Sequence, residues 1–172
     1  MDCKLRERSF GLINLKRLVY LISPTKIYKN FYEDLKKVLA SKKVRYFQLR
    51  IKKKSKNDII RIAKKIRKIT RLYGVKFIIN DSVEIAKKIN ADGCHIGQLD
   101  GDIANIKKRL GNKIMGVTCH NSKELAQIAF KNKAQYVAFG SFYKSKLKPK
   151  AIKADIKVLK WAKKKIKKPI VV

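Results

Sequence analysis

A regular alternation runs through this chain: short β-branched runs are separated by longer segments in which apolar residues recur every three to four positions. The runs are Leu18–Ile22, Tyr46–Arg50, Val75–Ile79, Gly93–Ile96, Ile114–Thr118, Tyr136–Gly140 and Pro169–Val172. The segment after the second run shows the helical period most clearly, with Ile59, Ile62, Ile66 and Ile69 on one stripe and Lys64, Lys65, Lys68 and Arg71 largely on other faces. Such a pattern dictates βα repetition, and hence a parallel sheet covered by helices. No Gly-rich dinucleotide fingerprint follows the first run, which leaves a closed barrel or an open doubly wound sheet. A barrel needs eight strands and typically ~250 residues. Seven strand candidates in 172 residues therefore predict an α/β fold, a (β/α)8 TIM barrel truncated after the seventh strand. It would span residues 16–172 as one domain, with residues 1–15 as an N-terminal extension. The final run, Pro169–Val172, is followed by no helix, so its edge is expected to be exposed and prone to self-association.

Local signals agree with these boundaries. Asn121 and Glu124 have capping-box spacing, and Gly74 and Gly111 fall where helices should stop. The three cysteines, Cys3, Cys94 and Cys119, are widely spaced and odd in number, which suits neither a disulfide framework nor a zinc site. No stretch approaches the ~20 apolar residues of a membrane span, and Met1–Lys16 holds no signal-like apolar run. A cytoplasmic protein without a membrane partner is the expectation.

The formal net charge of +33, taken alone, suits a polyanionic partner. Against this, the lysines occur in every helical segment, among them Lys36, Lys37, Lys107, Lys108 and Lys163–Lys165, and gather into no single arm or recognition helix. Joint richness in Lys, Ile and Asn is what codons biased toward A and T place on solvated faces. Most aromatics fall inside strand-like runs, where they cannot stack on bases. The reading is no specific nucleic-acid partner, with a basic nucleic-acid-binding protein as the rival class.

In a parallel barrel the chemistry sits where strands end, and here those ends are polar. The second run ends Gln48-Leu49-Arg50-Ile51-Lys52, and alternation directs Gln48, Arg50 and Lys52 to one side while turning Leu49 and Ile51 away. The third ends Asn80-Asp81, and the fourth leads through His95 to Leu99-Asp100. Two carboxylates at neighbouring exits suit Mg2+, which takes one or two carboxylates plus substrate phosphates, with cations such as Arg50, Lys52 and Lys148 offsetting phosphate charge. Helix capping is the competing role for both Asp81 and Asp100. The fifth run ends at Thr118, and in the loop after the sixth Ser145 and Lys148 make a weak phosphate-binding pattern. Cys119 beside His120 makes a poor nucleophile and base pair, because strand neighbours face opposite ways. His95 reads as a packed, hydrogen-bonded histidine.

Taken together, Tyr20-Leu21-Ile22, Gln48-Leu49-Arg50-Ile51-Lys52, Ile79-Asn80-Asp81, Ala91 to Asp100, Gly116-Val117-Thr118 and Gly140 to Lys148 resemble the thiamine phosphate synthase family. The resemblance runs from about Leu18 to Val172, and its most specific element is Asn80-Asp81 followed nineteen positions later by Asp100. It implies a Mg2+-dependent transferase that joins hydroxymethylpyrimidine diphosphate to thiazole phosphate and releases pyrophosphate. On matching positions, Gln48, Arg50, Lys52, Asn80, Thr118 and Lys148 would hold the pyrimidine and its diphosphate, within a stretch that includes Leu49 and Ile51. Arg50 and Lys148 would carry the catalytic charge neutralisation, Asp81 and Asp100 the metal, and Ser145 to Leu147 the thiazole phosphate. The family's Gly-rich phosphate loop and eighth strand have no counterpart before Val172, so weak thiazole phosphate binding and impaired turnover are expected. Lys144, Ser145 and Leu147 replace a family Pro and two Thr, and Leu99 replaces a frequent acidic residue. A thiazole tautomerase-like barrel is the nearest alternative, and retention of Asn80, Asp81, Asp100 and Lys148 argues against it.

Overall fold

The computed structural model describes residues 18–143 and 153–172, which alternate strand and helix throughout. In order these are β1 (Val19–Ile22), α1 (Phe31–Ala40), β2 (Val44–Leu49), α2 (Lys56–Leu72), β3 (Lys76–Asn80), α3 (Val83–Lys88), β4 (Gly93–Ile96), α4 (Ile103–Leu110), β5 (Ile114–His120), α5 (Lys123–Lys131), β6 (Tyr136–Phe139), α6 (Ile156–Lys165) and β7 (Ile170–Val171). Spatial order follows chain order from β1 to β7, and every neighbouring pair is parallel. The sheet curls strongly, because Tyr20 of β1 brings its hydroxyl within 2.6 Å of that of Tyr136 in β6, near the sheet's other end. The result is a nearly closed seven-stranded barrel. Among the described residues β1 and β7 pair with one neighbour each. Residues 1–15 lie outside the described residues.

Alternation along each strand divides its side chains between two cores. Phe47, Phe77, Ile79, Cys94, Ile96, Met115, Val117, Val137 and Phe139 face the helices and join Leu35, Leu39, Ala63, Ile66, Ala86, Leu110, Ala129 and Ala162 in one apolar cluster. The opposite set includes Tyr20, Gln48, Ile78, His95, Gly116 and Tyr136, which fill the barrel interior with larger and more polar groups. Gly116 is required there: a Cβ would stand 1.9 Å from Cζ of Tyr136.

Several local expectations shift. In α2 the fully buried stripe is Ile60, Ala63, Ile66 and Thr70, with Ile59, Ile62 and Ile69 on its flanks. The apolar face is therefore broader and rotated from the isoleucine stripe alone. β2 begins at Val44, which pairs with Val19 although charged Lys43 and Arg45 surround it. Helix α5 is capped by Ser122, whose hydroxyl accepts from the Leu125 N–H at 3.1 Å. Asn121 instead accepts from the N–H of Asp155 at 2.9 Å, tying the β5 exit to the start of α6. Gly111 caps α4 at φ 60°, and Gly74 follows α2 at φ 66°, as placed from sequence.

Candidate active site

The strand exits surround a cavity of about 450 Å3 lined by Gln48, Arg50, Lys52, Asn80, Asp81, Asp100 and Thr118, together with Tyr20, His95, Gln98 and His120. Seven positions singled out in the sequence thus converge from β2, β3, β4 and β5 and the loops that follow them. Leu49 is 2% exposed and belongs to the core between sheet and helices, and Ile51 packs against that same core. Pleating turns both side chains from the cavity, so only their main chain is available to a ligand. Ser145, Lys146, Leu147 and Lys148 lie outside the described residues, as does Lys144.

Neither cavity carboxylate caps a helix. Ser82 caps α3 by accepting from the Ile85 N–H, and Asp102 caps α4 by accepting from the Asn105 N–H. This releases Asp81 and Asp100 for other work. Asp81 has φ +63°, a left-handed conformation tolerated by Asp but costing on the order of 1 kcal/mol. It is fixed there because its N–H donates to the His95 carbonyl at 2.8 Å, while the next N–H, of Ser82, donates to Asn80 at 2.7 Å. Asp100 is aimed by the N–H of Gly97, which donates to its Oδ2 at 2.6 Å.

The two carboxylates lie side by side. Partial burial lifts the Asp81 carboxyl above the usual carboxylate range, the Asp100 carboxyl beside it adds to the rise, and Lys52 and Arg50 pull the other way. Among the described residues Arg50 and Lys52 form no ion pair with a carboxylate. The mouth therefore holds a repelling acid pair and two cations with donors to spare. A divalent cation fits the acid pair chemically: it favours ionised oxygen donors and removes their repulsion, and Mg2+ commonly uses one or two carboxylates with substrate oxygens completing its shell. No cluster of three or more potential ligating side chains of the His, Cys, Asp or Glu type occurs among the described residues.

Beneath the mouth runs a chain of hydrogen bonds that sequence reading did not anticipate. Gln48, buried at 2% exposure, donates from Nε2 to the Tyr20 hydroxyl at 3.1 Å. The Tyr20 and Tyr136 hydroxyls are paired at 2.6 Å, Tyr136 meets His95 Nδ1 at 2.9 Å, and His95 Nε2 meets Thr118 Oγ1 at 2.8 Å. Five strands are thereby linked through barrel-facing side chains, and no buried polar side-chain atom among the described residues lacks a partner. Burial drives His95 down to about 4, against the opposing pull of Asp100, so the ring is neutral at pH 7. Burial likewise raises both tyrosines above their ordinary value. The expected packed role of His95 is met, and Gln48 and Thr118 are held rigid at the ends of the chain. Only the curvature that brings β1 against β6 creates it; alternation alone puts Tyr20 and Tyr136 on barrel-facing positions without relating them.

His120 also reaches the cavity, because the β5–β6 register shifts between Thr118 and His120 and its φ is +50°. Gln98 joins the wall by donating to the Thr118 carbonyl. Cys119 is buried among core residues and its thiol is pushed up to about 12 by that burial, which removes it as a nucleophile. Cys94 is likewise pushed up to about 12, by burial and then by the nearby Asp81 and Asp100 charges.

Comparison with known proteins gives the same direction. Residues 19–172 match a family model described as thiamine monophosphate synthase. The thiamine-phosphate synthase of Pelagibacter ubique (strain HTCC1062) is 53% identical over 157 residues, covering 91% of this chain and 76% of that relative. That of Clostridioides difficile (strain 630) is 38% identical over 156 residues, covering 89% and 73%. A solved structure, the thiamine phosphate pyrophosphorylase from Pyrococcus furiosus, superposes with a TM-score of 0.77 at 27% identity, over 90% of this chain and 72% of that one. Barrel, cavity and relatives agree: the chain belongs to the thiamine monophosphate synthase family of transferases.

Proposed function

We propose that this chain joins hydroxymethylpyrimidine diphosphate to thiazole phosphate, giving thiamine phosphate and pyrophosphate, with Mg2+ held by Asp81 and Asp100. The observation that carries the reading is the convergence of Gln48, Arg50, Lys52, Asn80, Asp81, Asp100 and Thr118 on one cavity at the strand exits. Bound Mg2+ would supply charge neutralisation to the diphosphate. Arg50 and Lys52 offer charge-assisted hydrogen bonds to the same group, and the family resemblance assigns Lys148 to it as well. Gln48 and Thr118, immobilised from below, present fixed polar groups to the pyrimidine.

The chemistry asks little of a nucleophile. Departure of pyrophosphate leaves a pyrimidine-stabilised carbocation that the thiazole nitrogen then captures, so the main demand is stabilisation of charge developing on the leaving oxygens. Arg50 and Lys148 are assigned to that demand, and the two described thiols, Cys94 and Cys119, are both buried and pushed up to about 12. Ser145, Lys146 and Leu147 are assigned to the thiazole phosphate, and the main chain of Leu49 and Ile51 to the stretch around the diphosphate.

A thermal-shift titration with pyrimidine diphosphate tests the reading. A ligand that binds only the folded state raises its melting temperature. The expected result is a rise that requires Mg2+ and disappears in Asp81→Ala. A Mg2+-independent rise, or an unaltered one in Asp81→Ala, would remove these carboxylates from the assignment. Release of pyrophosphate on adding thiazole phosphate checks the transfer itself.

A further inference from the structure

Lysines occur at both ends of the barrel, but the fold sorts the carboxylates between those ends. Each helix runs back against its strands, so all helix ends and strand starts share one face, opposite the cavity. The last turn of every helix carries a cation there, Lys37, Arg71, Lys87, Lys108, Lys131 and Lys164 being one from each. Carboxylates go to the other end, as first-turn residues (Glu33, Asp58, Glu84, Glu124), helix caps (Asp102, Asp155) or strand exits (Asp81, Asp100). Among the described residues Asp92 is the one carboxylate at the strand-start face. It is engaged by Arg67 at 2.8 Å, Lys76 at 3.5 Å and the Phe77 N–H at 2.9 Å.

Helix dipoles account for cations in last turns, at about 0.3–1 kcal/mol each. They do not account for Lys113, Lys133 and Lys168, which stand past the helix ends in the loops entering β5, β6 and β7. Two adjoining cavities of about 580 and 540 Å3 run along this face and share Asn112. The larger is lined by Lys107, Lys108, Lys131 and Lys133 with amides between them and no carboxylate. The Lys107 ammonium lies below its ordinary range through burial and then through Lys133 and Lys168 nearby, and no described carboxylate lines that cavity.

We infer that this groove is a sequence-independent docking surface for the phosphate backbone of a nucleic acid. An elongated trough of ammonium and amide donors follows a strand of phosphates, whereas an interfacial membrane site needs large apolar side chains to insert. Among the described residues Ala104 is the sole hydrophobic residue lining the larger cavity, and in the smaller one Ala91 and Leu110 are buried. Fluorescence anisotropy with a labelled 20-base-pair DNA duplex between 50 and 200 mM NaCl tests this. Lys108→Glu/Lys131→Glu/Lys133→Glu changes three exposed lysines of the groove. Its control, Lys26→Glu/Lys29→Glu/Lys54→Glu, makes the same net charge change at the cavity end.

The groove triple is expected to weaken binding at least tenfold and to flatten the slope of log K against log salt by about 3, given roughly 0.9 per phosphate contact. The control should stay within threefold of the parent. Should the groove triple fail to fold by circular dichroism, the corresponding Lys→Gln triple takes its place with the same expected slope change. Equal weakening by both triples, no duplex binding at 50 mM NaCl, or tighter binding to phosphatidylserine vesicles than to duplex at matched phosphate would overturn the inference.

Discussion

Acidification isolates one buried group. His95 has both ring nitrogens engaged, by Tyr136 and Thr118, and burial lowers it from 6.5 to about 4. The unfolded chain therefore binds a proton near pH 6.5 that the folded chain refuses until about pH 4, and stability falls as pH drops through that window. Linkage with these two values removes about 2 kcal/mol between pH 7 and pH 5, approaching about 3 kcal/mol at the bottom of the window. At a slope of ~2 kcal/mol per molar urea, the midpoint should move down by about 1 M. Urea unfolding followed by far-ultraviolet circular dichroism at both pH values, on the parent and on His95→Gln, measures this. The substitution removes the titration while keeping polar contacts, and the raised Asp81 carboxyl, which acts in the opposite direction as pH falls, is common to both proteins. A parent midpoint that drops no further than that of His95→Gln would refute the account of a neutral, buried imidazole.

Tyr136→Phe deletes the hydroxyl that joins Tyr20 to His95, leaving buried partners unsatisfied; a loss of about 1–3 kcal/mol in urea unfolding is expected. Gly116→Ala drives a Cβ to 1.9 Å from Cζ of Tyr136, so overpacking should cost about 1–3 kcal/mol or more, and Gly116→Ala/Tyr136→Leu should recover part of it in a double-mutant cycle. Arg50→Ala leaves no described ion pair broken. It should weaken pyrimidine diphosphate binding by about 10- to 100-fold, the worth of a charge-assisted contact, with little change in melting temperature of the free protein. Ser82→Ala removes the α3 cap and should cost about 1 kcal/mol by thermal unfolding.

The alternation of periods by itself determined the βα succession, all seven strands and the polar strand exits, because pleating and helix geometry act over a few residues. Gln48, Arg50 and Lys52 could be assigned to one side, and Leu49 and Ile51 to the other, for the same reason. Tertiary structure decided the rest. Whether Asp81 and Asp100 were caps or free carboxylates depended on which neighbour sealed each helix, and Ser82 and Asp102 do so. The hydrogen-bonded chain from Gln48 to Thr118 exists because the sheet curls until β1 meets β6, an event between residues 116 positions apart. His120 enters the cavity through a register shift that strict alternation cannot express. The face of helix ends and strand starts becomes cationic because parallel topology brings the last-turn cation of each described helix to one side and sends every described carboxylate but Asp92 to the other. Short-range patterning specifies elements and their faces; closure of the barrel, a long-range packing event, chooses which faces meet.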